Sequence, residues 1–246
     1  MTEELVPSGS DDRTAGFVRD PSDAVSDAAR HPLLRMLDDT LSGQPPPPDG
    51  CTEVVGSPGP PADAVVAFTG HFVVAAGIAA AEVSARCAPG DFSVPMSPGF
   101  LLWLAERLGS RPVTHDVVFG GIAGDAQRPV ELLPLALDYP HTRVARSLRF
   151  RRDVTAFATP DHDGVLVLGR GLAGRWELAF EVAPAARGRG VGRALVASAL
   201  RLLPAGTPVY AQVATGNVSS MRSVIAGGLR PVCAEVLFPL GGASVP

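Results

Sequence analysis

Strand-like runs are densest in the C-terminal third of the chain, and their period turns from strand to helix where glycine and arginine crowd together. Trp176 to Val182 (Trp-Glu-Leu-Ala-Phe-Glu-Val) is rich in aromatic and branched residues and stops short of Pro184, which predicts a strand. Val191, Leu195, Ser198 and Leu202 then recur at the spacing of one helical face, so a helix is expected over 187–203, ending at Pro204-Ala205-Gly206. Before this pair, Val154–Ala158 and Gly164–Leu168 read as strands joined by the polar turn 160–163. After it come a buried strand at Val209–Val213, a helix opened by Asn217 and closed by Gly227-Gly228, and a last strand at Pro231–Phe238.

The N-terminal half is patterned more loosely. Residues 1–30 are polar, acidic and without period, as in disordered segments. Leu33, Leu34, Leu37 and Leu41 make one face of a short helix over 31–42, with Pro32 at its start; it docks on the body of the protein or on a second copy, which leaves a homodimer open. Pro45–Pro48 and Pro58–Pro61 mark 43–61 as a linker. Strands are expected at Ala64–Phe68 and Phe72–Ala76 around a turn holding His71, and another at Val117–Ile122. A helix opened by Ser97-Pro98 runs to Leu108, with Leu101, Leu102 and Leu108 inward and Gly109 as its stop. Val130–Leu137 and His141–Phe150 are helical candidates, and the stripe Arg143, Arg146, Arg149 in the second reads as a solvated face.

Composition narrows the function classes. All 21 basic residues are arginine, against 25 acids, for a net charge of −4. That balance speaks against a basic-patch nucleic-acid binder, and no nucleic-acid partner is expected. Residues 1–60 carry 4 Arg against 11 acids (−7), leaving 17 against 14 (+3) in 61–246, which suits an anionic ligand. The longest apolar run is about half of what a membrane span needs, and the acidic start is unlike a secretory leader. No membrane partner and a cytoplasmic location are therefore expected. Three cysteines (Cys51, Cys87, Cys233) in unpaired spacing suggest neither a disulfide framework nor a metal site.

The chemistry concentrates in Arg187-Gly188-Arg189-Gly190-Val191-Gly192. Glycines there allow close backbone approach, and the first helical turn presents unpaired N–H groups at the positive end of the helix dipole, a ready phosphate site. Arg187, Arg189 and Arg193 add charge. A nucleotide P-loop needs Lys, and the chain has none. Gly169-x-Gly171-x-x-Gly174 has the dinucleotide spacing but leads into a strand instead of a helix, so it reads as a turn. Val182-x-Pro184-x-x-Arg187-Gly188-x-Gly190-Val191-Gly192, between strand and amphipathic helix, resembles the acetyl-CoA-binding motif of the GNAT acyltransferase superfamily. Asn217, Ser220 and Gly228-Leu229 resemble its closing pattern, and the likeness covers about residues 150–240.

The resemblance implies an α/β (α+β) fold, the GNAT acyl-CoA N-acyltransferase fold, with a mixed, mostly antiparallel sheet flanked by helices and an N-terminal extension. Its parts are the extension (1–60), an acceptor-side part or small preceding module (61–150) and the acetyl-CoA-binding core (151–246). It implies acetyl-CoA or another acyl-CoA as co-substrate, no metal, and a small-molecule or protein amine as acceptor. Pantetheine would pair with backbone near Val182, the diphosphate would rest on Gly188, Arg189, Gly190, Val191, Gly192 and Arg193 beside Arg187, and the Asn217 amide would touch the pantetheine arm; an N-cap is the plainer role of that Asn. The resemblance places the base on the strand, at Glu177 or Glu181, which share one side of it. Where many relatives carry a tyrosine that protonates the leaving thiolate, this chain has Val224; Tyr210, Ser220 or Ser223 would have to serve, or nothing does. The rival reading is a non-catalytic acyl-CoA-binding regulatory module.

Overall fold

The computed structural model describes residues 30–113, 115–124 and 128–241; the expectation of disorder for residues 1–30 falls, except for Arg30, outside the described residues. Along the chain, α1 (Pro32–Leu41) is followed by β1 (Thr52–Val55), β2 (Ala62–Phe68), β3 (His71–Ala75), α2 (Ala80–Ser84), α3 (Pro98–Leu108), β4 (His115–Ile122), β5 (Leu133–Leu135), α4 (Thr142–Phe150), β6 (Arg152–Ala158) and β7 (Gly164–Arg170). Then come β8 (Trp176–Val182), α5 (Val191–Leu202), β9 (Pro208–Ala214), α6 (Val218–Ala226) and β10 (Arg230–Pro239). The ten strands of the described residues lie in one sheet, ordered β1-β3-β2-β10-β4-β9-β8-β7-β6-β5. Only β1–β3 and β8–β9 are parallel; the other neighbours are antiparallel. The fold is a mixed, mostly antiparallel sheet flanked by helices. From β6 onward its elements follow the expected order of three strands, helix, strand, helix, strand.

Alternation along the strands assigns the helices to faces. On β7, Leu166 and Leu168 pack with Leu195, Val196 and Ala199 of α5, while Val165 and Val167 pack with Val144 of α4. On β10, Val236 and Phe238 meet Phe100, Leu101 and Leu104 of α3, while Cys233 belongs with Leu33, Leu37 and Leu41 of α1. Thus α1 and α4 cover one face and α3, α5 and α6 the other. The parallel pair β8–β9 requires a crossover, which α5 supplies. Residues 61–150 form no sheet of their own: β4 lies between β9 and β10, and β2 and β3 extend the sheet beyond β10.

Several expectations need correction. No helix spans 130–137; Pro134 instead sits in β5, the outermost strand, opposite Phe157, a position where a missing N–H costs nothing. The linker 43–61 contains β1, held in parallel against β3. Helix α5 begins at Val191 and not at 187, because Gly188 and Gly190 take positive φ angles (77° and 85°) that no helix continues through. On α3, Ser97 caps and Gly109 terminates as expected, but Leu104 joins Leu101 in the core while Leu102 is 60% exposed, since it stands about 100° around the helix from Leu101. Among the described residues no helix is long and apolar enough to cross a membrane.

Helix α1 is stitched to the sheet. Leu33 and Leu37 are fully buried, Asp38 Oδ1 accepts the Tyr210 hydroxyl at 2.6 Å, and Arg230 donates to the Leu41 carbonyl. Leu37→Ala should therefore cost about 2–5 kcal/mol, the range for leucines that leave a cavity. Urea unfolding would measure it, and a loss under about 0.5 kcal/mol would mean that α1 does not belong to the core.

Candidate functional site

The two parallel strands part soon after they meet. Paired residues are Trp176↔Val209 and Glu177↔Tyr210; from Leu178 to Val182, β8 keeps only β7 as a partner, while β9 continues along β4 as far as Ala214. The gap so formed opens toward the start of α5. That helix is set deeply at its first turn. A Cβ on Gly192 would meet Ser223 Oγ at 2.8 Å and Phe180 Cε2 at 3.2 Å, so glycine is what lets α5 lie between β8 and α6. Gly192 thus has a packing role that the sequence reading did not give it, and its backbone amide stays among those at the start of α5.

A 3₁₀ turn at Pro184–Ala186 and the bend at Gly188 bring the chain to Gly190, which caps α5 with no side chain bonding to the first turn. Among the described residues, the amides of 188–193 have no hydrogen-bond acceptor. Arg187, Gly188, Arg189 and Arg193 are exposed around these amides, and Arg187 Nε donates to the Val182 carbonyl at 3.2 Å. Val191 is half-buried. Asn217 caps α6, its Oδ1 accepting the Ser220 amide at 3.1 Å, and its side chain is exposed. Val224 is fully buried in the core, Ser223 Oγ donates to the Ser219 carbonyl at 3.1 Å, and the Tyr210 hydroxyl is taken by Asp38; none of these supplies an open hydroxyl beside the gap.

On the face covered by α1 and α4, a cleft of about 700 Å³, open mouth included, lies over the parting strands. Asp116, Glu177, Ala179 and Gln212 come from the sheet, and Arg143, Arg146, Ser147, Phe150 and Arg151 from α4 and its end. Its base is an ion cluster that sequence reading missed. Arg175, just before β8, donates through Nε to Glu177 Oε1 at 2.8 Å and through both terminal nitrogens to Glu235 of β10 at 2.8 and 2.7 Å. Arg151 Nε adds a 2.9 Å bond to Glu177 Oε2, and Gln212 Nε2 one of 2.6 Å to Glu235 Oε1. The Leu172 amide also points at Glu177, at 3.3 Å. Gly171 allows this: a Cβ there would lie 2.3–2.4 Å from the Glu177 carboxyl. The misleading glycine spacing at 169–174 is a turn built around a buried carboxylate. Its legible signal was Glu235, one charge inside the apolar run Val-Cys-Ala-Glu-Val-Leu-Phe.

Glu177 is therefore not an open carboxylate. It is 3% exposed. Burial alone would raise its pKa, but Arg175 and then Arg151 more than offset this, and it lies below its ordinary value. Burial likewise opposes the charge on Arg175, yet Glu235 and Glu177 hold it above the usual guanidinium range. Glu181, further along β8 on the same side, is half-buried, 3.7 Å from Arg143 Nε. Arg143 is only partly solvated: burial lowers its pKa against the pull of Glu181, and its Nε is buried with no hydrogen-bond acceptor. Elsewhere, His71 is buried in its turn with Nδ1 3.0 Å from Asp49. Among the described residues no group of His, Cys, Asp and Glu could hold a metal ion.

No protein-family model and no curated protein matches the sequence. Solved structures do. Two of them, similar over part of this chain, are GNAT acetyltransferases. One, an acetyltransferase from the GNAT family of Colwellia psychrerythraea, is 10% identical with a TM-score of 0.37 over 58% of this chain. The other, a GCN5-related N-acetyltransferase from Kribbella flavida, is 16% identical with a TM-score of 0.41 over 59%. The match spans under two thirds of either neighbour, 63% and 65%. Similarity at that level carries no function across, which must come from the site itself.

The ion cluster makes two checkable demands. Arg175→Met leaves Glu235 and Glu177 buried with too little positive charge and should cost about 3–5 kcal/mol in urea unfolding. Because the folded pKa of Glu177 is depressed, the unfolded chain binds its proton first as pH falls. Its contribution is complete above about pH 5 and lost progressively below the ordinary glutamate value of about 4.3. Wild type should thus lose stability more steeply than Glu177→Gln between about pH 5 and 3. Parallel slopes in the two proteins would contradict the assignment.

Proposed function

We propose that this protein is an acyl-CoA-dependent N-acyltransferase acting on a primary amine. The observation that carries the reading is the parallel strand pair that parts after two residues, with the uncapped N-terminus of α5 at the mouth of the gap. The amides of 188–193 and the arginines beside them fit a diphosphate, being free, convergent and at the positive end of a 12-residue helix. The backbone of Leu178–Val182, without a strand on its open side, fits an extended amide-bearing arm. Acyl-CoA would supply an activated acyl group on sulfur: the C–N bond to the acceptor forms as the C–S bond breaks, and the electron pair leaves on sulfur. The resemblance noted in the sequence points the same way.

Within that reading the chain's own residues divide the work. An amide N–H on the open edge of β8 can stabilise charge developing on the acyl oxygen. The proton lost by the amine needs a base, and of the two strand carboxylates Glu181 is the one not already committed to two arginines. A carboxylate whose pKa is held down is a poor acceptor of protons, so Glu177 holds Arg151 and Arg175 in place at the base of the cleft. With Val224 buried, no side chain is assigned to protonate the departing thiolate, whose own acidity lets it leave as the anion. The three free cysteines fit a reducing compartment, so we place the protein in the cytoplasm.

Calorimetry with acetyl-CoA tests the cradle. Wild type should bind; Gly190→Glu, which sets a strained, negatively charged residue where φ is 85°, should weaken binding at least tenfold while the protein remains folded. Undiminished affinity would reject the site. For the base, Glu181→Gln should lower kcat by about 10²–10⁴-fold with acetyl-CoA affinity retained. Binding without turnover on any amine would indicate instead the acyl-CoA-binding module.

A further inference from the structure

The cleft says something about the acceptor. Its α4 wall presents Arg143, half-buried, and Arg146, exposed, and neither is hydrogen-bonded to a carboxylate among the described residues. Arg143 Nε is buried without a hydrogen-bond acceptor, and the nearest carboxylate oxygen, on Glu181, stands 3.7 Å away, outside bonding range. Arg146, one turn on, lies over the Phe150 ring at 5.7 Å and forms no ion pair among the described residues. Arg151, by contrast, is consumed by Glu177 and Ser147. A buried donor without an acceptor is costly and calls for a ligand oxygen. Away from this wall the lining combines the apolar Leu172, Leu237 and Pro239 with the floor residues Asp116, Glu177 and Gln212, of which Glu177 and Gln212 are bonded within the ion cluster.

Resting on the acyltransferase reading, we propose that the acceptor is a small amino acid-like amine, bound with its carboxylate on Arg143 and Arg146 and its ammonium toward Glu181, which stands beside the cleft next to Arg143. The spacing suits this. Arg143 and Glu181 present opposite charges only 3.7 Å apart, so one ligand can satisfy both when its own charges are separated by one or two carbons. That is the geometry of an α- or β-amino acid, whose side chain would then lie along Phe150 and Leu237. A simple alkylamine would meet Glu181 but leave Arg143 without its acceptor. A planar carboxylate also matches the two-pronged donor set of arginine.

The test uses the full chain, with acetyl transfer followed by thiol release and acceptor binding by calorimetry. Glycine, alanine and phenylalanine are compared with their carboxamides. Carboxylates should be preferred at least tenfold in kcat/KM, as expected for a charge-assisted hydrogen bond. Arg143→Gln should raise KM for the carboxylates about tenfold and erase the preference, leave acetyl-CoA affinity unchanged, and be partly rescued by Arg143→Lys. Transfer to carboxamides and amino acids alike, or a preference that survives Arg143→Gln, would overturn the proposal while leaving the acyltransferase reading intact. Arg143-dependent binding of amino acids with no transfer from acetyl-CoA would support the carboxylate site and sink the acyltransferase reading. If amino acids neither bind nor react, the proposal falls.

Discussion

Arg175 carries its charge into the core, and the centre of the sheet is arranged to keep it there. It stacks near the Tyr210 ring, grips Glu235 with both terminal nitrogens and Glu177 with the third, and so ties the start of β8 to β10 across the intervening strands. A fully buried arginine leaves little tolerance. Any sliding of β8 against its neighbours would strand a guanidinium or a carboxylate in a medium that cannot solvate it. The same cluster draws in Arg151 from the end of α4, and the Tyr210–Asp38 bond fastens α1 beside it. The two helices of that face are thus anchored by polar bonds that reach down to one charge.

The site follows from what the cluster permits. Tied at Trp176 and Glu177, β8 and β9 are held together at one end only, so they part into a gap with rigid edges. Gly192 lets α5 sink between β8 and α6, and Gly188 and Gly190 turn the chain so that its free amides face the mouth of that gap. On the other side of β8, the same ion cluster forms the base of the acceptor cleft. A cradle and a cleft thereby share one strand, with alternate residues serving each: Leu178 and Phe180 pack toward α5, while Glu177, Ala179 and Glu181 face α4.

The C-terminal elements were legible because β6 through β10 are short runs rich in apolar and branched residues, set off by turns and glycines. The bend before α5 was legible as a motif, though its helix starts four residues late since positive φ at two glycines delays it. Less could be read where local pattern and tertiary demand diverge. Residues 130–137 look helical by composition, but the sheet needed one more edge strand and proline fits there. Thr52–Val55 has no alternation of its own and becomes a strand only because β3 offers an edge. For the site, the bend at Gly188 and Gly190 could be read from the glycines, whereas Glu177 looked like a free base. Its state depends on Arg151 and Arg175, and on Glu235 nearly sixty residues away. Ion pairing at long range has no signature in spacing. Of the α4 stripe, Arg146 and Arg149 are exposed as expected, and only the folded chain turns Arg143 partly inward.

Hydrogen–deuterium exchange with and without acetyl-CoA tests the central claim most directly, since it reads the backbone amides on which the site is built. The account predicts that acetyl-CoA slows exchange in two segments together, 178–182 on the open edge of β8 and 188–193 at the start of α5, and leaves the glycine turn at 169–174 as it was. Protection centred on 169–174, or unchanged exchange in both segments at saturating acetyl-CoA, would contradict it.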